Sequence, residues 1–237
     1  MSIAEKLTTI AENEQKVYNA GIEKGIADNE IAYVDRLTGN GTKTNYSYAF
    51  RESNFPENYS FAKTIVVNNA CQMFYNMSGQ FPGNVDMSAV TGNAPYESYG
   101  TYAIFAWSTR ATYLCDMNLQ APKYYTSTWA YCSNLITIEK IRVNENTQFS
   151  TSPIGLPFQN CYALENVTFE GVIGHDISFA QSTKLTHDSL MNIINCLKDY
   201  SEDTSGTTHT LTIGTINQAK LTDTEKAIAT QKGWTIA

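Results

Sequence analysis

A short cassette recurs along the middle of the chain. It consists of an aromatic anchor, a cysteine three positions later, a leucine three positions after that, and a β-like run. The two clearest copies match position for position at an offset of 29 residues, and they read Trp129-x-x-Cys132-x-x-Leu135-x-x-Ile138 and Phe158-x-x-Cys161-x-x-Leu164-x-x-Val167. Looser copies begin at Phe74 and Phe105, so the four anchors lie 31, 24 and 29 residues apart. In the Phe105 copy, Ser108 and Ala111 replace cysteine and leucine.

A repeat of this length is typical of a solenoid, in which each unit buries its apolar face only against its neighbours. We therefore expect a right-handed α/β solenoid in which short strands recur once per unit. The cassettes place the aromatic anchors and the cysteines inside, and the segments 118–128 and 144–157 between them read as irregular insertions. The runs that predict strands are 85–87, 112–116, 135–139, 167–170, 211–213 and 234–236.

Residues 1–27 predict an N-terminal α-helix. Ser2 and Glu5 have the spacing of a capping box. Apolar residues then recur at steps of three, four and seven, and they are Ile3, Leu7, Ile10 and Val17. This face suits either self-association, as in a trimeric homo-oligomer, or packing on the chain's own domain or on a neighbouring protein. The pattern leaves these alternatives open.

The remaining chain divides into two regions. Residues 28–69 lack a period and read as a connecting and capping segment, whereas residues 70–237 form the repeat domain with an α/β C-terminal cap. In that cap, Thr186 is the predicted N-cap of a helix reaching about residue 200. Thr222 and Glu225 form a second capping box, and Gly233 is a predicted C-cap.

The charge pattern excludes some partners. Only 16% of the residues are charged, against about a quarter in typical domains, and the formal net charge is −7. No basic cluster is present to bind a phosphate backbone, so we expect no nucleic-acid partner. No apolar run is long enough to predict membrane insertion. The first residues lack the pattern of a signal peptide, so synthesis in a cytoplasm is expected.

The sequence predicts neither an enzyme nor a cofactor or metal site. The five cysteines contain no C-x-x-C pair and are expected to be buried, reduced thiols; they are Cys71, Cys115, Cys132, Cys161 and Cys196. His175 and Asp176 are adjacent, but neighbours in a strand or turn point apart and do not make a catalytic dyad. Asp188 beside His187 suits the first turn of a helix without any catalytic role.

Aromatic residues are concentrated between positions 96 and 131, where seven tyrosines occur. Tyrosine and tryptophan offer rigid contact area and also hydrogen-bonding groups. Phe105, Trp129 and Tyr131 occupy cassette positions and are expected in the core. The candidates for ligand binding are Tyr96, Tyr99, Tyr102, Trp107, Tyr124 and Tyr125, with the alternative that several of them are core residues.

The cassette resembles the leucine-rich repeats of BspA type, in which an aromatic anchor, x-x-Cys, x-x-Leu and alternating strand residues recur. The resemblance covers roughly half of the chain. The first thirteen residues and the segment 221–229 are similar to sequences that accompany such repeats in proteins of phages and prophages of gut Firmicutes. This resemblance implies a leucine-rich-repeat-like α/β solenoid with short strands.

The same resemblance implies a function. It suggests a non-enzymatic structural protein of a phage virion, in a decoration, a tail or a head fibre, that presents a repeat surface to the host. Its expected partners are other virion proteins or further copies of itself, bound through the N-terminal helix, and a glycan or protein of the host cell surface. The alternative is an adhesin located on the bacterial cell surface.

Overall fold

The computed structural model describes residues 44–55, 65–81, 83, 85–87, 90, 101–119 and 124–237. The predicted N-terminal helix with Ile3, Leu7, Ile10 and Val17 lies outside these residues, as do Tyr96 and Tyr99. The described part is a mixed α/β structure with mostly short strands and few helices.

Its strands belong to small sheets, and within the described residues every strand pair is parallel. The sheets are β1-β3-β5, β2-β4, β6-β8-β10, β7-β9 and β11-β12-β13. The strands are β1 (Thr44–Asn45), β2 (Asn54–Phe55), β3 (Ile65–Asn69), β4 (Ser78–Gly79), β5 (Val85–Asp86), β6 (Tyr113–Asn118), β7 (Tyr124–Tyr125), β8 (Thr137–Val143), β9 (Gln148–Phe149), β10 (Asn166–Gly171), β11 (Ile177–Ser178), β12 (His209–Thr212) and β13 (Trp234–Ile236). The helices are α1 (His187–Cys196), α2 (Gly214–Gln218) and α3 (Asp223–Gln231).

The turn around each aromatic anchor stacks on the turn of the next cassette through backbone hydrogen bonds. The amide of Phe74 donates to the carbonyl of Ile104 at 2.8 Å, and that of Phe105 donates to Thr128 at 2.8 Å. The amide of Trp129 donates in turn to Pro157 at 2.9 Å. These bonds set the register in which the cassettes follow one another.

The anchors form two aromatic stacks in the core, Phe50–Phe74–Phe105 and Trp129–Phe158–Phe179, which we together name the aromatic ladder. The rings of Phe74 and Phe105 are 5.4 Å apart and inclined by 5°. Those of Trp129 and Phe158 are 4.6 Å apart and inclined by 9°. Phe105, Trp129 and Phe158 are buried, as the cassettes predicted. Phe50 and Phe179 extend the ladder at both ends beyond the predicted anchors.

The third residue after an anchor ties neighbouring turns together. The thiol of Cys132 donates to the carbonyl of Phe105 at 3.1 Å, and the thiol of Cys161 donates to that of Trp129 at 3.0 Å. Ser108 makes the same bond, from its hydroxyl to the carbonyl of Phe74 at 3.1 Å. Serine can thus replace cysteine here, because both side chains are small and can donate to that carbonyl. The bond is not made in every turn, since Met77 occupies the position after Phe74 and the Ser182 hydroxyl after Phe179 has no hydrogen-bond partner.

Helix α1 covers the edge of the central sheet. The side chain of Asn192 accepts from the amide of Phe169 at 2.6 Å and donates to the carbonyl of the same residue at 3.2 Å. The hydroxyl of Ser189 accepts from the amide of Val167 at 3.0 Å. These side chains take the place of a next strand, so the backbone groups at the edge keep their partners.

The C-terminal cap agrees with its predicted elements, with two differences. The Thr222 and Glu225 capping box is present, and Thr186 is the N-cap of α1. However, α1 ends at Cys196 instead of near residue 200. At this observed end of the helix, the Lys232 ammonium donates to the carbonyls of Ile194, Asn195 and Leu197. Helix α2 was not predicted. Outside the cap, the described residues of the segments 118–128 and 144–157 are less irregular than expected, because β7 pairs with β9.

Removing a ladder ring should cost stability. Phe158 is 1% exposed and lies between Trp129 and Phe179, whose ring centres are 4.6 and 4.4 Å away. We expect Phe158→Ala to lower the free energy of unfolding by about 3–5 kcal/mol, because the cavity cannot close between two stacked turns. Urea denaturation measures this change. The control Ile154→Ala, at a side chain that is 86% exposed, should change stability by less than about 0.5 kcal/mol. Equal stabilities of the two variants would contradict a structural role for the ladder.

Candidate binding surface

The second residue after five of the six ladder anchors, from Phe50 to Phe158, points away from the core, and these residues form a column on the surface. These column residues are Glu52, Asn76, Trp107, Tyr131 and Asn160, and each has a positive φ between 54° and 64°. A left-handed residue costs about 1–2 kcal/mol when it is not glycine. Because the same conformation recurs in successive turns, it belongs to the geometry of the turn and not to one strained position.

Two aromatic side chains meet in this column. The rings of Trp107 and Tyr131 are 4.3 Å apart and inclined by 10°, so they lie face to face. The amide of Trp107 donates to the carbonyl of Ala130 at 2.8 Å, which places the two residues in adjacent turns. Trp107 is nevertheless 45% exposed. The pair therefore presents a large indole surface to solvent on a backbone held by hydrogen bonds.

Further aromatic residues surround the pair. Three small buried residues, Ala103, Ala106 and Ala130, form a floor on which half-buried tyrosines pack, and these tyrosines are Tyr75, Tyr102 and Tyr131. We name Tyr75, Tyr102, Trp107 and Tyr131 the aromatic platform. The small alanine side chains let the rings of Tyr75, Tyr102 and Tyr131 pack close to the backbone.

The charge near the platform is balanced. The guanidinium of Arg51 lies over the ring of Tyr75, 4.8 Å from its centre, in a cation–π contact. Arg51 also pairs with Glu52 at 3.4 Å and donates to the side chain of Gln72 at 3.4 Å. The column positions 76, 107, 131 and 160 carry no formal charge.

The predicted binding residues that the structure describes differ in their exposure to solvent. Trp107 is exposed and Tyr102 is half-buried on the platform, whereas Tyr124 is half-buried in β7. The prediction for Tyr125 is wrong: its side chain is fully buried and contacts Phe149, because the alternation along β7 turns it inward.

The structure also differs from the sequence prediction at two further tyrosines. Tyr131 was expected in the core, but its left-handed backbone turns it outward onto Trp107. Tyr75 was not predicted at all. The signal that could have found both is their fixed position, one or two residues after an anchor.

The thiols of the described cysteines Cys71, Cys132, Cys161 and Cys196 are buried or half-buried and form no disulfide bond. Burial raises the pKa of Cys132 to about 12. It also raises the pKa of Cys161, with a further contribution from the neighbouring Cys132. Both thiols therefore stay protonated near neutrality and act as hydrogen-bond donors to the ladder instead of as nucleophiles.

A histidine cluster lies at the C-terminal cap. The ring of His209 stacks on Tyr200 at 4.0 Å, and its Nδ1 lies 3.7 Å from Asp176 Oδ1. The same carboxylate oxygen accepts from the amide of Thr210 at 2.9 Å. The sequence missed this approach of His209 to Asp176, because the two residues are separated by 33 positions. The contacts join β11 and β12, and the stacked, buried ring fits a structural role.

The same cluster predicts a pH effect on stability. Burial lowers the pKa of His175, and the charge of His209 lowers it further. In acid the unfolded chain therefore binds more protons than the folded one. The contribution of His175 to the free energy of unfolding is complete above the ordinary histidine pKa of about 6.5, and it is lost as the pH falls below that value. We expect urea denaturation to show a decrease in stability from pH 7 to pH 5.5, and His175→Gln should make this decrease smaller. An unchanged slope in the variant would remove His175 as a cause.

Searches of the described residues give two negative findings. No group of three or more His, Cys, Asp or Glu side chains there is arranged to hold a metal ion. No helix among them is long and apolar enough to cross a membrane. Comparison of the chain with protein-family models, curated proteins and solved structures finds no match. Function is therefore argued from the platform.

Proposed function

We propose that this protein is a non-enzymatic binding protein that holds a partner on its aromatic platform. The observation that carries the proposal is the exposed indole of Trp107, stacked on Tyr131 in a backbone of fixed register. Rigid aromatic residues are the side chains that most often dominate binding energy at interfaces. A tryptophan that is 45% exposed contributes little to the core, which favours a role in contact with a partner.

The proposal extends to the architecture and the setting. The stacked turns act as a leucine-rich-repeat-like solenoid, and the protein is a structural component of a phage virion that contacts the host surface. Two features support this view: the parallel strand pairs with their recurring anchors, and the resemblance of the cassettes and of both ends of the chain to phage proteins of gut Firmicutes. In this setting the N-terminal segment attaches the protein to its assembly.

The platform is tested by Trp107→Gly. Glycine suits the φ of 62° at this position, and relief of the left-handed conformation offsets the loss of the contact with Tyr131, which is about 0.5–1.5 kcal/mol. The variant should therefore unfold within about 1 kcal/mol of the wild type. Its binding to cells of gut Firmicutes, measured by flow cytometry with labelled protein, should fall at least about tenfold.

Ile216→Ala provides the matched surface control, because Ile216 is 58% exposed in α2. This variant should bind cells as the wild type does. Full binding by a folded Trp107→Gly protein would show that the platform is not the contact surface.

The phage setting has its own test. If the protein is a virion component, mass spectrometry of purified particles from a strain that encodes it should detect its peptides at the level of other structural proteins. Peptides found only in the cell wall fraction of a culture free of phage would instead support the surface adhesin.

A further inference from the structure

The stacked pair has two outer faces that differ in their surroundings. One face of the Trp107 ring is covered by Tyr131, which is its one ring contact among the described residues. Since the turns stack in order along the core, the opposite face of the indole looks toward the preceding turn. The column residue of that turn is Asn76, which is exposed.

Asn76 is held next to the indole by the backbone. Its amide donates to the carbonyl of Ala106 at 2.9 Å, so Asn76 lies one turn below Trp107 in the column. Its φ of 54° directs the short side chain outward, as for the other column residues. Adjacent turns bonded in this way are about 4.8 Å apart, and the side chain of Asn76 is shorter than the indole, so the outer part of the indole extends beyond Asn76.

We propose that the exposed outer part of the Trp107 indole, together with Asn76 beside it, binds one sugar ring of a neutral glycan. The inference rests on the proposed binding function of the platform and names the ligand of that site. The apolar face of the sugar ring stacks on the indole, and the carboxamide of Asn76 donates to and accepts from its hydroxyl groups. An aromatic face beside a carboxamide matches a ring that is apolar on one side and bears hydroxyls at its edge.

The charges favour a neutral sugar over an acidic one. No column position in the four turns around the pair carries a formal charge, and Arg51 is paired with Glu52 and covered by Tyr75. The chain as a whole has a net charge of −7, which repels polyanions. A ligand with carboxylate or sulfate groups would find no free cation among these contacts.

The other side of the pair is less suited to a sugar. There the column residue is Asn160, whose side-chain oxygen already accepts a hydrogen bond from the hydroxyl of Tyr162. Asn160 shares with Asn76 the residue type, the position in the turn and a similar φ, which is 58° against 54°. It differs in being half-buried and in donating its amide to the side chain of Gln181. Asn160 therefore serves as a control at an equivalent site.

The experiment applies wild type, Asn76→Gly, Asn160→Gly and Trp107→Gly to an array of neutral and acidic oligosaccharides. Glycine keeps the left-handed backbone and removes only the carboxamide, so both asparagine variants should fold, as thermal unfolding will verify. We expect the wild type to bind neutral oligosaccharides. Asn76→Gly should lower the affinity about tenfold, Trp107→Gly should abolish detectable binding, and Asn160→Gly should leave the affinity within about twofold.

Three results would overturn the proposal: binding to no saccharide or only to acidic ones, an Asn76→Gly variant that binds as the wild type does, or equal losses in the two asparagine variants. The proposed binding function fails separately. If the array shows no binding while Trp107→Gly still loses its attachment to cells, the platform is a contact surface for another class of partner, and only the glycan inference is wrong.

Discussion

The hydrogen bonds from the anchor amides of Phe50, Phe74, Phe105 and Trp129 to carbonyls of the next turn are the constraint on which the arrangement of side chains depends. They fix the register between turns, and with it the positions of the side chains inside and outside. Inside, Trp129 stacks on Phe158, and the thiols of Cys132 and Cys161 donate to the carbonyl of the anchor in the preceding turn. Outside, the register places the residues after the anchors in columns. One set of backbone bonds thus builds both the core and the surface.

The left-handed column residues link that scaffold to the proposed binding site. In an ordinary strand, side chains alternate between the two faces, and a residue next to a buried anchor has no fixed neighbour on the outer face. Here a positive φ two residues after five of the six anchors directs the side chain out of the core at an equivalent position of each of those turns. Aromatic residues at two successive positions, Trp107 and Tyr131, consequently stack. Asparagines occupy the positions on either side and leave the rings accessible.

Particular residues show how far sequence reasoning reached. The burial of Cys132, Cys161, Trp129 and Phe158 follows from their shared spacing, because a recurring apolar position in a repeat faces the common core. Phe179 was not predicted to be an anchor, because Ser182 occupies the position of the cassette cysteine, although Leu185 occupies the position of the cassette leucine. Tyr125 and Tyr131 were placed on the wrong sides, since both lie near an anchor and only the backbone conformation decides which way each points. The N-terminal helix lies outside the described residues, and its role stays a prediction.

The sequence by itself determined the recurring anchors, the small hydrogen-bonding residue three positions later, the low charge and the capping boxes of the C-terminal helices. These are local patterns, and local sterics and burial are enough to express them. Only the tertiary structure decided which outward residues meet. Trp107 and Tyr131 are 24 positions apart, in cassettes of unequal length, and they come to 4.3 Å because the turns stack by their anchors and not by residue count. The insertions between cassettes absorb the difference in length, so the contact depends on a register that no single segment contains.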